Sequence, residues 1–471
     1  MDKKNVWDTY SAHQLKELEV HAQEYMAFLD CGKTERECVE QIVNQAEVAG
    51  YVPLKSVIEK KKKIKPGDKI YSVLMNKTIV LFHIGKNPLE SGMNILGAHI
   101  DSPRMDVKQD PLYEDNGIAY LDTHYYGGVK KYQWVTIPLA LHGVAVKKDG
   151  TTIEFNLGEE DDDPVFFVSD LLIHLAQEQM EKKANKVIEG EALDIIVGNR
   201  PLKVAKSKDP DKNLKDPVKM AILKLLKDDY DMDEEDFLSA ELEVVPAGRA
   251  REAGFDRSMI LAYGQDDRVC AFSSLKAMLE LSGTPKRTAC CILVDKEEIG
   301  SVGATGMRSR FFENCVGEIL ALGEGNYNDL MLKRCLANSC MLSSDVSAAF
   351  DPSYASSFEK KNAAFLGNGI VFNKFTGSRG KSGSNDANAE YMAYLRDIFA
   401  KEKVTFQTAE LGKVDLGGGG TIAYILALYG MNVIDSGVAV LNMHAPWEAT
   451  SKADVYEAKR GYAAFLKYEG L

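Results

Sequence analysis

The sequence predicts an α/β protein, a mixed sheet flanked by helices and interrupted by a smaller β-rich insertion. Three observations carry that prediction. Helix-like and strand-like segments alternate from VCAFSSLKAMLELSG to NVIDSGVAVLNMH, the pattern of layered α/β folds. Residues 106–242 have another texture, short strand-like pieces broken by turns. The N-terminal part supplies two helices and then three apolar strands. Residues 1–105 and 243–471 are therefore expected to build one discontinuous domain, with 106–242 as the insertion. A chain of 471 residues, 45% apolar and 27% charged, can bury a large core.

The elements follow in order. Leu15, Leu18, Ala22, Tyr25, Met26 and Leu29 recur at helical spacing. A second helix opens on the capping box Thr34-Glu35-Arg36-Glu37, buries Val39, Ile42, Val43 and Ala46, and stops at Gly50. KIYSVLM, TIVLFHI and MNILGAHID then read as strands. The insertion contributes GIAYLDTHYYG, WVTIPLALHGVAVKK and TTIEFNL, followed by a charged, proline-bearing stretch, KVAKSKDPDKNLKDPVK, expected to be a surface loop. Buried-strand texture returns in VVPAGRAREAGFDRSMILAYG. The remaining strands are RTACCILVD, SCMLSSD, VTFQTAEL and NVIDSGVAVLNMH, with helices between them.

Composition narrows the function. A formal net charge of −13 argues against nucleic acid or an anionic membrane as the main partner. No window approaches the roughly 18 uninterrupted apolar residues of a membrane span. The start, MDKKNVWDTYSAHQ, lacks the apolar core of a signal peptide. Eight cysteines without CxxC pairs read as reduced thiols. A cytoplasmic protein is expected.

Chemistry gathers at strand ends, where open α/β sheets form their sites. His99 and Asp101 follow NILGA; Asp266 and Asp267 follow ILAYGQ; Glu297 and Glu298 follow CILVDK; Asp345 follows CMLSS; His444 follows VAVLNM. Histidine mixed with carboxylate suits zinc, cobalt or manganese better than calcium or magnesium. Two histidines and three or more acids exceed one tetrahedral zinc and fit two metals sharing a bridging acid. Asp101, two residues beyond His99 on the same strand face, is placed to accept the second imidazole N–H. Glu297 and Glu298, as strand neighbours, would leave in opposite directions, one toward a metal and one toward substrate as general base.

These residues, in this order, resemble the dinuclear-zinc aminopeptidase and carboxypeptidase superfamily. GAHIDSPRMDVK, GQDDRV, DKEEIGSVGATG, SSDVSAAFDP, GKVDLGGGGTIA and NMHAPWEA are similar to the M18 aminopeptidase family, which contains aspartyl aminopeptidases and vacuolar aminopeptidase I. The resemblance implies a zinc-peptidase domain, with the inserted domain used in oligomer contacts, and a homo-oligomer, a dodecamer. It implies that His99 and Asp345 hold one metal, Glu298 and His444 the other, and that Asp266 bridges them. Glu297 becomes the general base and Asp101 the catalytic partner of His99. A water activated between two divalent ions, zinc or else cobalt or manganese, then attacks the first peptide bond of a peptide substrate. His174, in LLIHLAQ, matches a family histidine that reaches a neighbouring subunit's site.

Other features bear on substrate. Gly418 and Gly419, within DLGGGG opening a helix, are expected to wall a substrate pocket; the run lacks the Lys-Ser/Thr of a phosphate loop. Lys374, Arg379 and Lys381 form a basic cluster able to receive an acidic side chain. Whether the released residue is acidic or neutral and leucine-like stays open. The run KKKKIK reads as a solvated face. Two competing readings are a non-catalytic shell protein and another dinuclear hydrolase, such as an amidohydrolase or carboxypeptidase.

Overall fold

A computed structural model describes residues 5–203, 214–325, 327–377 and 379–469. The chain divides into two compact units. One takes the chain up to Ser102, Ala250–Met443 and the chain from Glu448 onward; the other takes Pro103–Arg249 and the short segment His444–Trp447.

The first unit is built on a nine-stranded mixed sheet. Its centre is four parallel strands side by side: Thr288–Val294, Met93–His99, Cys340–Ser343 and Asn432–Gly437. Antiparallel strands flank them, Thr78–His83 on one side and Ile370–Asn373 on the other. Parallel strands covered on both faces read as continuous apolar runs, and every residue of Met93–His99 and Thr288–Val294 is buried. Side chains alternate between two cores. Leu96, Ala98, Cys291 and Leu293 join the core holding Tyr25, Phe272, Leu395 and Phe465. Ile95, Cys290, Ile292 and Val294 join the one holding Val316, Leu332 and Leu426. Truncating an aromatic such as Phe272, packed 5.3 Å from Tyr25 and 5.4 Å from Phe28, would cost about 3–5 kcal/mol.

Register sets the site. Val294 pairs with His99, and Ser343 lies level with Gly97 and Asp435. The carboxyl ends of the parallel strands thus share one edge of the sheet, and His99, Glu297 and Asp345 follow from them. A separate five-stranded sheet pairs Met259–Ala262 with Glu448–Ser451, just before the turn that carries Asp266.

The N-terminal helices form as their caps require. Ala12–Cys31 starts on a Ser11/Gln14 capping box and Glu35–Val48 on Thr34/Glu37. The second unit is a six-stranded antiparallel sheet whose middle strands are Ala240–Pro246 and Arg104–Asp115. One reading is corrected there. The charged stretch expected to be a loop runs into a helix, Pro217–Tyr230; residues 204–213 of that stretch lie outside the described residues. Proline at a first helical position needs no N–H partner, and Glu114 accepts the next two amides, from Val218 at 2.7 Å and Lys219 at 2.9 Å. All eight cysteines are free thiols. Among the described residues no helix is long and apolar enough to cross a membrane.

Candidate metal centre

His99 is the last residue of its strand, and its imidazole is buried. Nδ1 lies 3.0 Å from the backbone carbonyl of Asp101 and 3.3 Å from its carboxylate. A carbonyl oxygen only accepts, so Nδ1 carries a proton, and Nε2 is the nitrogen that can serve a metal. The expected His99–Asp101 partnership is present, with the backbone oxygen as its closer half. Nε2 faces acids: Asp266 Oδ1 at 3.2 Å and Glu297 Oε2 at 4.0 Å. Ligand atoms of His99, Asp266 and Asp345 lie within 4.8 Å of one another, and Asp266 and Glu298 present carboxylate oxygens within the same distance.

The glutamates need a correction. They do not leave a strand in opposite directions, because the strand ends at Val294 and they open a one-turn 3-10 helix, Glu297–Ile299. Lys296 at φ 70° begins that turn, and Gly300 at φ 90°, a conformation glycine adopts without strain, closes it by donating to the Glu297 carbonyl at 2.8 Å. The turn is fixed from below by Asp101. Oδ1 accepts the Glu297 amide and Oδ2 the Glu298 amide, each at 3.1 Å. One fully buried carboxylate therefore holds the histidine ring and both glutamate backbones.

Electrostatics call for a cation. Burial, with Asp267, Asp266 and Glu297 beside it, pushes the Asp345 carboxyl well above the usual range. Burial and Asp266 do the same to Asp267, although His99 opposes them. Burial depresses the His99 imidazole, but Asp101 and Asp266 outweigh it and the net shift is upward. Buried acids this close cannot all ionise unless a positive charge joins them. An imidazole with an available Nε2 among carboxylate oxygens is a donor set that fits zinc.

Asp267 stood among the strand-end acids without a role, and two further contributors, Ser102 and Glu448, were missed in the sequence. Asp267 Oδ2 accepts the His99 amide at 3.3 Å. Ser102 Oγ donates to the Asp266 carbonyl at 2.7 Å, and Glu448 Oε2 accepts the Asp266 amide at 3.0 Å. The available signals were the doubled aspartate, the serine of HIDSP and the glutamate of PWEA, all inside quoted motifs, but no spacing rule links them to Asp266.

The remaining candidates are placed as follows. His444, at φ 66°, belongs to the segment that groups with the second unit; its Nδ1 lies 3.1 Å from the Gly128 carbonyl, so that nitrogen carries a proton. His174 is exposed on a 3-10 turn, Ile173–Leu175, of the second unit. Lys374 and Lys381 bind the two oxygens of Asp386 at 2.5 and 3.0 Å, and Lys381 also sits 3.9 Å over the Phe375 ring. Their partners are these rather than the acids around His99. The glycine run does not itself open a helix; that helix, Ala423–Ala427, starts later. Gly418 has φ 115°, Gly419 donates to the Thr376 carbonyl at 3.0 Å, and a Cβ on Gly417 would meet the Leu411 carbonyl at 1.6 Å. The close approach is at Gly417, whereas a Cβ on Gly419 would meet nothing within 4 Å.

Comparison with known proteins agrees with this geometry. The family model described as aminopeptidase I zinc metalloprotease (M18) matches residues 28–466. A probable M18 family aminopeptidase 1 of Clostridium acetobutylicum is 61% identical over 463 residues, 98% of each chain. The crystal structure of an M18-family aminopeptidase from Thermotoga maritima superposes with a TM-score of 0.92 at 43% identity over 99% of each chain. That of aminopeptidase I from Clostridium acetobutylicum gives 0.90 at 57% identity over 99% of this chain and 100% of that one.

Proposed function

The chain belongs to the M18 family of zinc-dependent aminopeptidases, and from that premise we propose that it releases the N-terminal residue of peptides with Glu297 as general base beside two divalent ions. The observation that carries this reading is that His99 and Asp345 meet Asp266 on one side and Glu298 meets the same Asp266 on the other, with the Glu297 carboxylate near His99. His99 and Asp345 would hold one ion, Glu298 and His444 the other, and Asp266 would bridge them. When bound, such ions lower the pKa of a water to about 7 and polarise the carbonyl it attacks.

The rest is the work of this chain's residues. Asp101 keeps the proton on His99 Nδ1 and so keeps Nε2 aimed at the ion. By holding both glutamate amides, it sets where Glu297 Oε2 stands. Glu297 takes a proton from the attacking water and returns it to the leaving amine. Gly418 and Gly419 wall the pocket for the first side chain, and His174 serves a neighbouring copy's site. Lys374 and Lys381 share Asp386, so an acidic side chain would have to displace that carboxylate. This pairing favours a neutral first residue such as leucine.

A homo-oligomer, a dodecamer by family resemblance, is part of the reading. Val165, Leu172, Ile173, Leu175 and Met180 are each more than half exposed, a concentration of apolar surface that marks an interaction site. The free thiols fit a cytoplasmic setting.

Reporter peptides test the reading. Leucyl, aspartyl and glutamyl p-nitroanilides should be cleaved, leucyl fastest, and N-acetyl-leucyl p-nitroanilide should be inert. Turnover of the blocked substrate would point to a different dinuclear hydrolase, and faster aspartyl cleavage would reverse the side-chain preference.

A further inference from the structure

We propose that Glu448 and Ser102 form a clamp that presets the carboxylate of Asp266 for two ions, which makes both of them positioning residues of the metal centre; this rests on the reading of Asp266 as the bridging ligand. A bridging carboxylate must offer one oxygen to each ion, so its backbone tolerates little drift. Asp266 gains no fixity from regular structure. Although it stands at the head of the helix Gln265–Leu279, its backbone is non-helical, at φ −81° and ψ 103°. Its peptide groups therefore need other partners, and the clamp supplies them: the Glu448 carboxylate takes the N–H and the Ser102 hydroxyl gives to the carbonyl.

Both arms are themselves anchored. Ser102 is fully buried and follows Asp101 directly, so it rides on the segment that carries His99. Glu448 is buried and lies opposite Ala262 in the strand pair that leads into the ligand turn. Gln265 ties the turn to that strand. Its Nε2 donates to the Glu448 carbonyl at 2.7 Å and the Ile260 carbonyl at 2.9 Å, and its Oε1 accepts the Tyr25 hydroxyl at 3.2 Å. Gly264, at φ 71°, lets Arg268 pass where a Cβ would stand 2.1 Å from its Nη1. Ser102, Gln265 and Glu448 are all buried, where a lost partner is not replaced by water.

The clamp predicts a pattern across four variants of the full-length chain, stripped of metal and titrated with Co2+ while the visible d–d absorbance is followed. Ser102→Ala and Glu448→Leu should weaken Co2+ binding about 10- to 100-fold, the range found when a ligand's supporting partner is removed. They should lower kcat more than they raise KM. Glu448→Gln keeps an acceptor oxygen and should stay within about threefold of wild type. Wild-type Co2+ affinity in both Ser102→Ala and Glu448→Leu overturns the clamp. So does a Glu448→Gln variant as weak as Glu448→Leu, since charge rather than hydrogen bonding would then matter. Should Glu448→Leu fail to fold, Ser102→Ala, the loss of one hydroxyl, decides alone. Asp266→Asn separates the two levels. If it binds Co2+ as wild type does, the bridging reading falls and the clamp with it; if it loses Co2+ while the clamp variants do not, the clamp alone falls.

Discussion

Asp101→Asn is the most informative substitution outside the ligands. Donors converge on the Asp101 carboxylate, among them the Glu297 amide and His99 Nδ1 on Oδ1 and the Glu298 amide on Oδ2. Asparagine offers one acceptor oxygen and one NH2. If the oxygen takes the place of Oδ1, the NH2 faces the Glu298 N–H, donor against donor. If the amide is flipped, the NH2 faces both the Glu297 N–H and His99. One backbone amide loses its partner either way, at about 1–3 kcal/mol, and the bonds that remain lose their charge assistance, about 1 kcal/mol more. The sum, about 2–4 kcal/mol, corresponds to a ~30- to ~900-fold fall in kcat/KM, because it displaces the general base. Metal should be retained better than activity, since the Asp101 backbone carbonyl still holds Nδ1. Steady-state hydrolysis of leucyl p-nitroanilide with metal analysis of the same sample measures both. A variant within about threefold of wild-type kcat/KM would refute this role for Asp101.

Further outcomes follow from the same structure. Glu298→Ala should lower the metal content per chain below that of the wild type, measured by plasma mass spectrometry. Removing metal with a chelator should abolish turnover and lower Tm, and zinc restored at about 1,000 times its Kd should return about 4 kcal/mol of stability. Burial pushes the Asp435 carboxyl up to about 7, against Thr421 and Ser343, which lower it. An acid raised in the folded state keeps a proton the unfolded chain has shed, so it costs stability as pH climbs from about 4 to 7. The Tm advantage of Asp435→Asn should therefore grow from pH 5 to pH 7 and level off above 8 in calorimetry. Ile173→Glu with Leu175→Glu should shift sedimentation toward smaller species.

How much of this was legible in the sequence depended on the range of the interaction. Local patterns were readable: the Thr34/Glu37 box, the apolar run ending at Val294, the glycines that force turns. The strand ends before His99, Glu298 and Asp345 were readable because a parallel sheet brings them to one edge, whereas Asp266 follows a strand of the separate five-stranded sheet. What failed depended on partners far along the chain. The start of the helix Pro217–Tyr230 was read as part of a loop because the Glu114 carboxylate that accepts its first amides is about a hundred residues away. The glutamate pair looked like the end of a strand because nothing in DKEEIG announces that Asp101 holds both amides. Ser102 and Glu448 were passed over for the same reason. Lys374 and Lys381 looked available, but their loop folds back to bring Asp386 between them.

The most direct test of the central claim is Glu297→Gln, with metal content and leucyl p-nitroanilide turnover measured on one preparation. The amide has the size of the acid but cannot take a proton at neutral pH. The account predicts that the proposed ions stay bound and that kcat falls by at least ~100-fold, the scale of a lost general base. Turnover near wild type, or loss of either ion, would contradict it.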